Sequence, residues 1–412
     1  MAQKIDRRRF IKLAGTTAFA VSISSVLGGC DAASSEPSSP SSSASSEAPS
    51  SSSSSSNSES SSSSDTQPQK IIWTTRNTND GNAILTGYDS SGAQPMGVIT
   101  LPEKWSGRKI VELDGNLGGK ITKMIVPGCY KKVHYGGSKY LEELILNEGV
   151  ETIYQFDGSI NLRNVQLPST LKEIGYCAFL GCTSLTSIRL PESLETLGWH
   201  AFTKTGLTEI TVPASVVNYD FNYQYRVSAP FYNCEKLISA TVKGSVLSDS
   251  MFEACPRLKN VSLNDTILEI PRLLFKGCSS LASITLPKKL KSIGSDAFRE
   301  CKKLTSISIP ETVTEIGDAA FMQSALQKIV LPNNLQIISW VAFRECSALE
   351  AVYIPVSVSK IENNAFDKCP LLSDVYYPAN ETQWSYIDIG EYGNNLLKAA
   401  NMHYYASPNS LL

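Results

Sequence analysis

Residues Ile293 to Pro310 read IGSDAFRECKKLTSISIP, and the parts of this stretch recur along most of the chain. Ile174 to Pro191 reads IGYCAFLGCTSLTSIRLP, and Ile361 to Pro378 reads IENNAFDKCPLLSDVYYP. Most neighbouring copies are 22 or 23 residues apart. Because a fixed period of this length is typical of stacked repeats, the sequence predicts a solenoid rather than a set of globular domains.

Each position of the repeat predicts a place in the stack. Counted from its Phe as zero, the repeat has Cys at +3, Leu at +6, aliphatic residues at +9 and +11, and Pro at +12. Apolar and polar residues alternate after the Leu, which predicts a short half-buried strand that Pro ends. The Ala-Phe segment predicts a short helical or 3-10 turn on the other side. The Phe positions are Phe156, Phe179, Phe202, Phe231, Phe252, Phe275, Phe298, Phe321, Phe343 and Phe366, with Tyr135 replacing Phe in an earlier copy.

This repeat resembles the BspA-like branch of the leucine-rich repeats, from about residue 97 to the C-terminus. The resemblance implies a leucine-rich repeat solenoid of about a dozen repeats of roughly 23 residues, with short parallel strands and short helical or 3-10 turns. Strand and turn signals predict an N-terminal β cap over residues 70–120. The solenoid is expected over 121–378, and 379–412 resembles the closing segment of the family and predicts a C-terminal cap.

The N-terminus carries signals for export. Residues 6–12 read DRRRFIK and resemble a twin-arginine signal, with Arg7, Arg8, Phe10 and Lys12 in register. Asp6 departs from the Ser or Thr that is usual there. A mildly apolar run follows, which is too short and too polar for a membrane span.

That run ends in LGGC at residues 27–30, which resembles a bacterial lipobox. The resemblance implies that residues 1–30 are a signal peptide and that Cys30 becomes a lipid anchor on the outer face of a bacterial membrane. Residues 31–69 are dominated by Ser and predict a disordered tether. A flexible chain of this length typically reaches about 30–35 Å.

Composition and cysteine spacing argue against several functions. The net charge of the 412 residues is −2, which gives no general attraction for nucleic acid. Neither metal spacing nor a phosphate-binding Gly loop occurs, so we expect no metal and no cofactor. The sequence has three histidines, His134, His200 and His403, and the spacing pairs none of them with a Ser or Cys nucleophile. No catalytic residue is therefore predicted. Seven cysteines share the +3 position and predict a buried column of structural thiols: Cys182, Cys234, Cys255, Cys278, Cys301, Cys346 and Cys369.

Two surfaces are candidates for ligand binding. The first is the solvent side of the repeat strands, at +8 and +10, where small hydroxyl residues give way to aromatic ones near the C-terminus. Arg189, Tyr353 and Tyr376 are its most distinctive side chains. The alternative is that these small polar residues only fill exposed strand positions.

The second surface is an insertion between Phe202 and Phe231, which are 29 residues apart. Tyr219, Phe221, Tyr223 and Tyr225 alternate with polar residues, so an extended segment would place all four rings on one face. Such a row suits protein or sugar recognition. The alternative is that the rings pack onto the side of the solenoid.

The sequence therefore predicts a lipid-anchored surface protein that binds a macromolecular ligand through its repeats. The resemblance implies adhesion, with a protein or glycan partner on a host or neighbouring cell. The alternative is a structural envelope scaffold without an external ligand, and an enzyme ranks third.

Overall fold

The predicted repeats form a coil with a sheet on each of two sides. A computed structural model describes residues 70–219 and 228–411, which form a parallel β-solenoid of about 14 turns of roughly 23 residues. The predicted fold class is confirmed. The turns exceed the expected dozen because parallel ladders continue into both predicted caps.

The strands are short, as the repeat predicts. In chain order they are β1 (Trp73–Asn77), β2 (Ala83–Tyr88), β3 (Met96–Thr100), β4 (Lys104–Trp105), β5 (Arg108–Asp114), β6 (Lys120–Val126), β7 (Lys132–His134), β8 (Glu143–Leu146), β9 (Thr152–Tyr154), β10 (Asn164–Gln166), β11 (Glu173–Ile174), β12 (Thr196–Leu197) and β13 (Glu209–Val212). They continue with β14 (Asn218–Tyr219), β15 (Ser239–Val242), β16 (Asn260–Leu263), β17 (Glu269–Ile270), β18 (Ser292–Ile293), β19 (Glu315–Ile316), β20 (Lys328–Val330), β21 (Ile337–Ile338), β22 (Ala351–Tyr353), β23 (Lys360–Ile361), β24 (Asp374–Tyr376), β25 (Asp388–Ile389) and β26 (Asn401–His403).

The strand that follows each repeat leucine belongs to what we call the primary sheet. It consists of three parallel ladders, β3-β6-β8-β10, β13-β15-β16 and β20-β22-β24-β26. The segments at 187–189, 283–285 and 306–308 lie between these ladders and form no regular strand. Their central residues Ile188, Ile284 and Ile307 are half-buried against the core.

The strand that precedes each Phe belongs to the secondary sheet. Its ladders are β2-β5-β7-β9-β11-β12-β14, β17-β18-β19 and β21-β23-β25. Most of these strands have two residues. At the N-terminal end β1 pairs antiparallel with β2, and β4 pairs antiparallel with β5.

The core between the sheets is organised around the repeat phenylalanines. All ten are completely buried, and Tyr135 occupies the same column. Neighbouring rings from Phe156 to Phe366 have centroids 5.3–6.0 Å apart, and most are stacked. Aromatic pairs at this spacing add to the free energy gained by burying the rings.

The segment around each Phe is a series of turns and not a continuous helix. Asp296 and Glu300 flank Phe298 with φ of 58° and 63°, and equivalent residues in other turns share this conformation. The amides of Phe298 and Glu300 donate to the carbonyls of Ala320 and Met322 in the next turn, both at 2.8 Å. Because alternate amides bond across turns, a local helix cannot form there.

Two short helices lie near the C-terminal end of the solenoid. They are α1 (Glu381–Trp384) and α2 (Asn395–Ala399), and a 3-10 turn follows at Pro408–Ser410. Strands β25 and β26 extend the secondary and primary sheets by one more turn. No helix within residues 70–219 and 228–411 is long and apolar enough to cross a membrane.

Candidate binding groove

A groove runs along the outer face of the primary sheet. Three cavities of about 670, 270 and 650 Å³ follow one another along it, which together we call the primary groove. The first lies over β10 and β13, the second over β15 and β16, and the third extends from residue 283 to β20. Its position is that of the ligand-binding face predicted from the +8 and +10 residues.

Small polar side chains line most of this groove. They project to the solvent side because residues alternate between the two faces of a strand. Those at +8 and +10 are exposed or half-buried in every turn from Phe156 to Phe298: Asn164, Gln166, Ser187, Arg189, Glu209, Thr211, Ser239, Thr241, Asn260, Ser262, Ser283, Thr285, Ser306 and Ser308.

The N-terminal end of the groove is charged. Arg163, Arg189 and Glu209 line the first cavity, and Arg189 is exposed. Lys243 and Glu192 form an ion pair of 2.8 Å across its edge. Among the described residues, neither arginine forms an ion pair, so both guanidinium groups are available to an acidic partner.

The C-terminal end of the groove is closed by the chain itself. Leu411 packs on Ala351 and Tyr353, and only 2% of Leu411 and 2% of Tyr353 are exposed. The Lys328 Nζ donates a hydrogen bond to the backbone carbonyl of Leu411 at 3.1 Å. Tyr353 therefore does not lie on an open surface, contrary to the prediction, because the C-terminal segment returns over β22.

Tyr376 is also partly covered. Its ring stacks on His403 with centroids 4.4 Å apart, and it packs against the cluster around Leu411. The His403 Nε2 is 2.7 Å from Asp374 Oδ1, and this hydrogen bond lowers the pKa of Asp374. Sequence reasoning missed this cover because no repeat position indicates where a terminal segment folds back.

Tyr219 belongs to the core rather than to an exposed aromatic row. It pairs in register with Leu197, so its ring occupies the position of a core aliphatic residue. The side chain is half-buried, and its hydroxyl donates to the carbonyl of Val246 at 3.3 Å. Burial raises its pKa. Phe221, Tyr223 and Tyr225 lie outside the described residues, as do the predicted signal residues Arg7, Arg8, Phe10, Lys12 and Cys30.

The column of +3 cysteines is confirmed as a set of free, buried thiols. Each donates to the backbone carbonyl of a Phe in an earlier turn, with Sγ–O distances of 3.1–3.5 Å. Burial raises the pKa of Cys278 to about 12 and that of Cys346 to about 11. Within residues 70–219 and 228–411, no three potential metal ligands come together.

Among the described residues outside the column, Cys129, Cys177 and His200 do not form an activated nucleophile. Cys177 has φ of 51° two residues before Phe179, and burial raises the pKa of its thiol to about 12. Cys129 is half-buried against the core, and its pKa is also raised by burial. The His200 Nδ1 is within hydrogen-bond distance of Thr203 Oγ1, at 2.6 Å, and burial lowers the pKa of His200 to about 4.

Comparison with known proteins agrees with this architecture. A leucine-rich repeat protein from Bacteroides ovatus is 23% identical over 82% of this chain and 78% of that chain, with a TM-score of 0.50. The pneumococcal vaccine antigen PcpA is 16% identical over 83% of this chain and 100% of that chain, also with a TM-score of 0.50. At these identities the likeness supports the fold alone.

A third solved structure, a leucine rich cell surface protein from Faecalibacterium prausnitzii, is 21% identical over 77% of this chain and 96% of that chain, with a TM-score of 0.44. No curated protein matches the sequence. The BspA type Leucine rich repeat region matches in six copies over residues 131–226, 152–282 and 269–387, which is more than half of the chain. The chain therefore belongs to the BspA-type leucine-rich repeat family.

Proposed function

We propose that this chain is an exported surface protein, anchored by lipid at Cys30, that binds an extended segment of a partner protein in the primary groove. Leucine-rich repeat proteins generally bind other proteins, and BspA-type members are typically exposed at the cell surface. The order of basic residues, apolar run and Cys30 supports the export and the anchor.

The observation that supports the groove as the binding site is the position of Leu411. A leucine side chain is buried there on two residues of the primary sheet, and a lysine side chain satisfies its carbonyl. The same cavity continues beyond Leu411 along Ser306, Ser308 and Ile307. An apolar side chain, carried by the residue that follows the 3-10 turn Pro408–Ser410, is thus already accommodated at one end of the groove.

The groove also indicates the chemistry of the partner. Hydroxyl side chains along the middle can accept and donate hydrogen bonds to a peptide backbone. Arg163 and Arg189 at the N-terminal end favour carboxylate side chains, because guanidinium groups pair with carboxylates in a bidentate geometry. We therefore expect a partner segment with apolar residues at one end and acidic residues at the other.

A library of random dodecapeptides selected on the full chain tests this proposal. We expect enrichment of peptides that combine acidic and apolar residues. Ser306→Arg places a bulky charge in the groove and should weaken their binding by about tenfold or more, equivalent to roughly 1.4 kcal/mol. Affinity is measured by fluorescence polarisation of a labelled peptide.

Ser359→Arg is the matched control, because Ser359 is exposed just before β23, away from the groove. It should bind the selected peptides as tightly as the original chain does. Enrichment of no peptide, or equal affinity for the Ser306→Arg variant, would contradict binding in the groove.

A further inference from the structure

A second surface carries aromatic rings that the repeat does not require. Four successive turns contribute Tyr154 at the end of β9, Tyr176 just after β11, Trp199 with His200 just after β12, and Tyr232 directly after Phe231; we call these rings the aromatic row. Ring centroids are 5.7 Å apart for Tyr154 and Tyr176, 4.3 Å for Trp199 and His200, and 5.8 Å for His200 and Tyr232. Turns about 4.8 Å apart give the row a length of roughly 14 Å.

The rings at the N-terminal end of the row lie against the backbone and leave a face accessible. The Tyr154 ring covers Gly175, where a Cβ would lie 2.0 Å from Tyr154 Cε1. Glycine at this position therefore lets the ring lie along the next turn. Tyr176 is 43% exposed, so part of its ring is accessible to a ligand.

Carboxylates border the same rings. The Tyr154 hydroxyl donates to Glu173 Oε1 at 2.9 Å. Burial raises the pKa of the Tyr176 phenol, and Asp114 and Asp157 lie close enough to raise it further. Asp157 is half-buried, and in the part of the chain that the structure describes it forms no ion pair.

We propose that the aromatic row binds a neutral polysaccharide chain. The apolar C–H faces of sugar rings pack on aromatic faces, and sugar hydroxyls donate to carboxylates. Asp114 is paired with Arg76 at 3.0 Å, but the carboxylates of Asp157 and Glu173 disfavour uronic or sialic acids, because like charges would come together. A row spread over four turns suits several linked sugars, whereas a small cation requires rings that enclose it.

The primary groove shares none of these residues, so the two sites can be tested separately. The full chain is run in native gels that contain hydroxyethyl cellulose, laminarin, galactomannan or polygalacturonate. We expect at least one of the three neutral polymers to retard the chain and the acidic polygalacturonate not to. Tyr176→Ala should weaken the retained interaction by about tenfold, because one exposed stacking platform is lost.

Two variants make the result specific. Tyr176→Phe keeps the ring face and should bind within about threefold of the original chain. Tyr386→Ala removes a tyrosine that is 78% exposed elsewhere, and it should have no effect. Circular dichroism confirms that each variant is folded.

The inference is overturned if none of the neutral polymers retards the chain, if polygalacturonate alone does, or if Tyr176→Ala migrates like the original chain. The inference would also be overturned if the original chain bound a partner protein but no polysaccharide, and if Tyr176→Ala abolished the binding of that protein. The row would then be a protein interface. Ser306→Arg should leave retardation unchanged, which separates this site from the primary groove.

Discussion

At the scale of single residues, the +3 cysteine acts as a small apolar side chain with a weak donor. Its thiol lies in a dry column and donates to the carbonyl of a buried Phe. Where the chain is one residue shorter, Thr205 and Ser324 occupy the corner, and their hydroxyls lie 3.3 Å from the Sγ of Cys234 and Cys346. The corner therefore accepts a small side chain that can donate a hydrogen bond, whether it is a thiol or a hydroxyl.

The buried thiols should be unreactive while the protein is folded. With iodoacetamide at pH 8, we expect no labelling of the seven column cysteines in the native chain and full labelling in guanidinium chloride. Burial makes them inaccessible, and it also raises the pKa of Cys278 to about 12 and that of Cys346 to about 11. Mass spectrometry of peptides counts the labelled sites, and labelling or disulfides in the native column would contradict this role.

The same thiols predict an alkaline loss of stability. A folded-state pKa of about 12 for Cys278 lies above the ordinary value of 9.0. The unfolded chain therefore loses this proton first, so the stabilisation is complete below pH 9 and declines as the pH rises toward 12. Cys278→Ala should reduce this decline relative to the original chain in urea unfolding measured from pH 8 to pH 11.

At the scale of elements, the turn around each Phe depends on two residues with positive φ. The position two residues after the Phe is Gly277 in one turn and Ala254 in the previous one, with φ of 75° and 57°. Both amides donate to carbonyls of the next turn, at 2.9 and 2.7 Å. The conformation is set by these bonds between turns, so residues other than glycine adopt it at a cost.

This matched pair allows the cost to be measured. Gly277→Ala should destabilise the chain by about 1–2 kcal/mol, because an L side chain is strained in the left-handed region. Its Cβ would meet only Ala254, at an ordinary 3.5 Å, so steric overlap does not explain the loss. Ala254→Gly should be stabilising or neutral in urea unfolding, and equal destabilisation by both changes would contradict this explanation.

At the scale of the whole molecule, the solenoid presents two unlike surfaces on opposite sheets. The primary groove is hydroxyl-rich and partly covered by the C-terminal segment. The aromatic row begins at the C-terminal ends of the secondary-sheet strands β9, β11 and β12, and carboxylates border it. The two surfaces share no residue, so the two proposed ligands would not compete for the same site.

The proposed lipid anchor and the proposed exposure at the cell surface are tested with the full-length chain in cells. Cys30→Ser should release the protein from the membrane fraction, because the proposed anchor requires a lipid attached to the thiol of that residue. The original chain should also be cleaved when protease is added to intact cells, with a cytoplasmic protein as the uncleaved control. A chain that stays membrane-bound after Cys30→Ser would contradict the lipid anchor, and a chain protected on intact cells would favour the envelope scaffold.

Much of the architecture follows from the repeat because equivalent residues stack. The Phe column and the thiol column were predictable from spacing, and so was the strand after most of the leucines, although residues 187–189, 283–285 and 306–308 form no regular strand. Sequence left two alternatives for Tyr219, because alternation identifies a shared face but not which face is the core, and its pairing with Leu197 selects packing onto the solenoid. Tyr353 was misread because repeat spacing cannot show that Leu411 returns to cover it.

The sequence by itself determined the solenoid, since a repeat of about 23 residues can bury its apolar side chains only by stacking on its neighbours. It also determined which positions face inward. Only the tertiary structure decided which exposed positions remain open and which are brought together. Leu411 closes one end of the groove, and Tyr154 and Tyr176 come together 5.7 Å apart. Both depend on contacts between different turns, which the spacing of residues within one repeat does not encode.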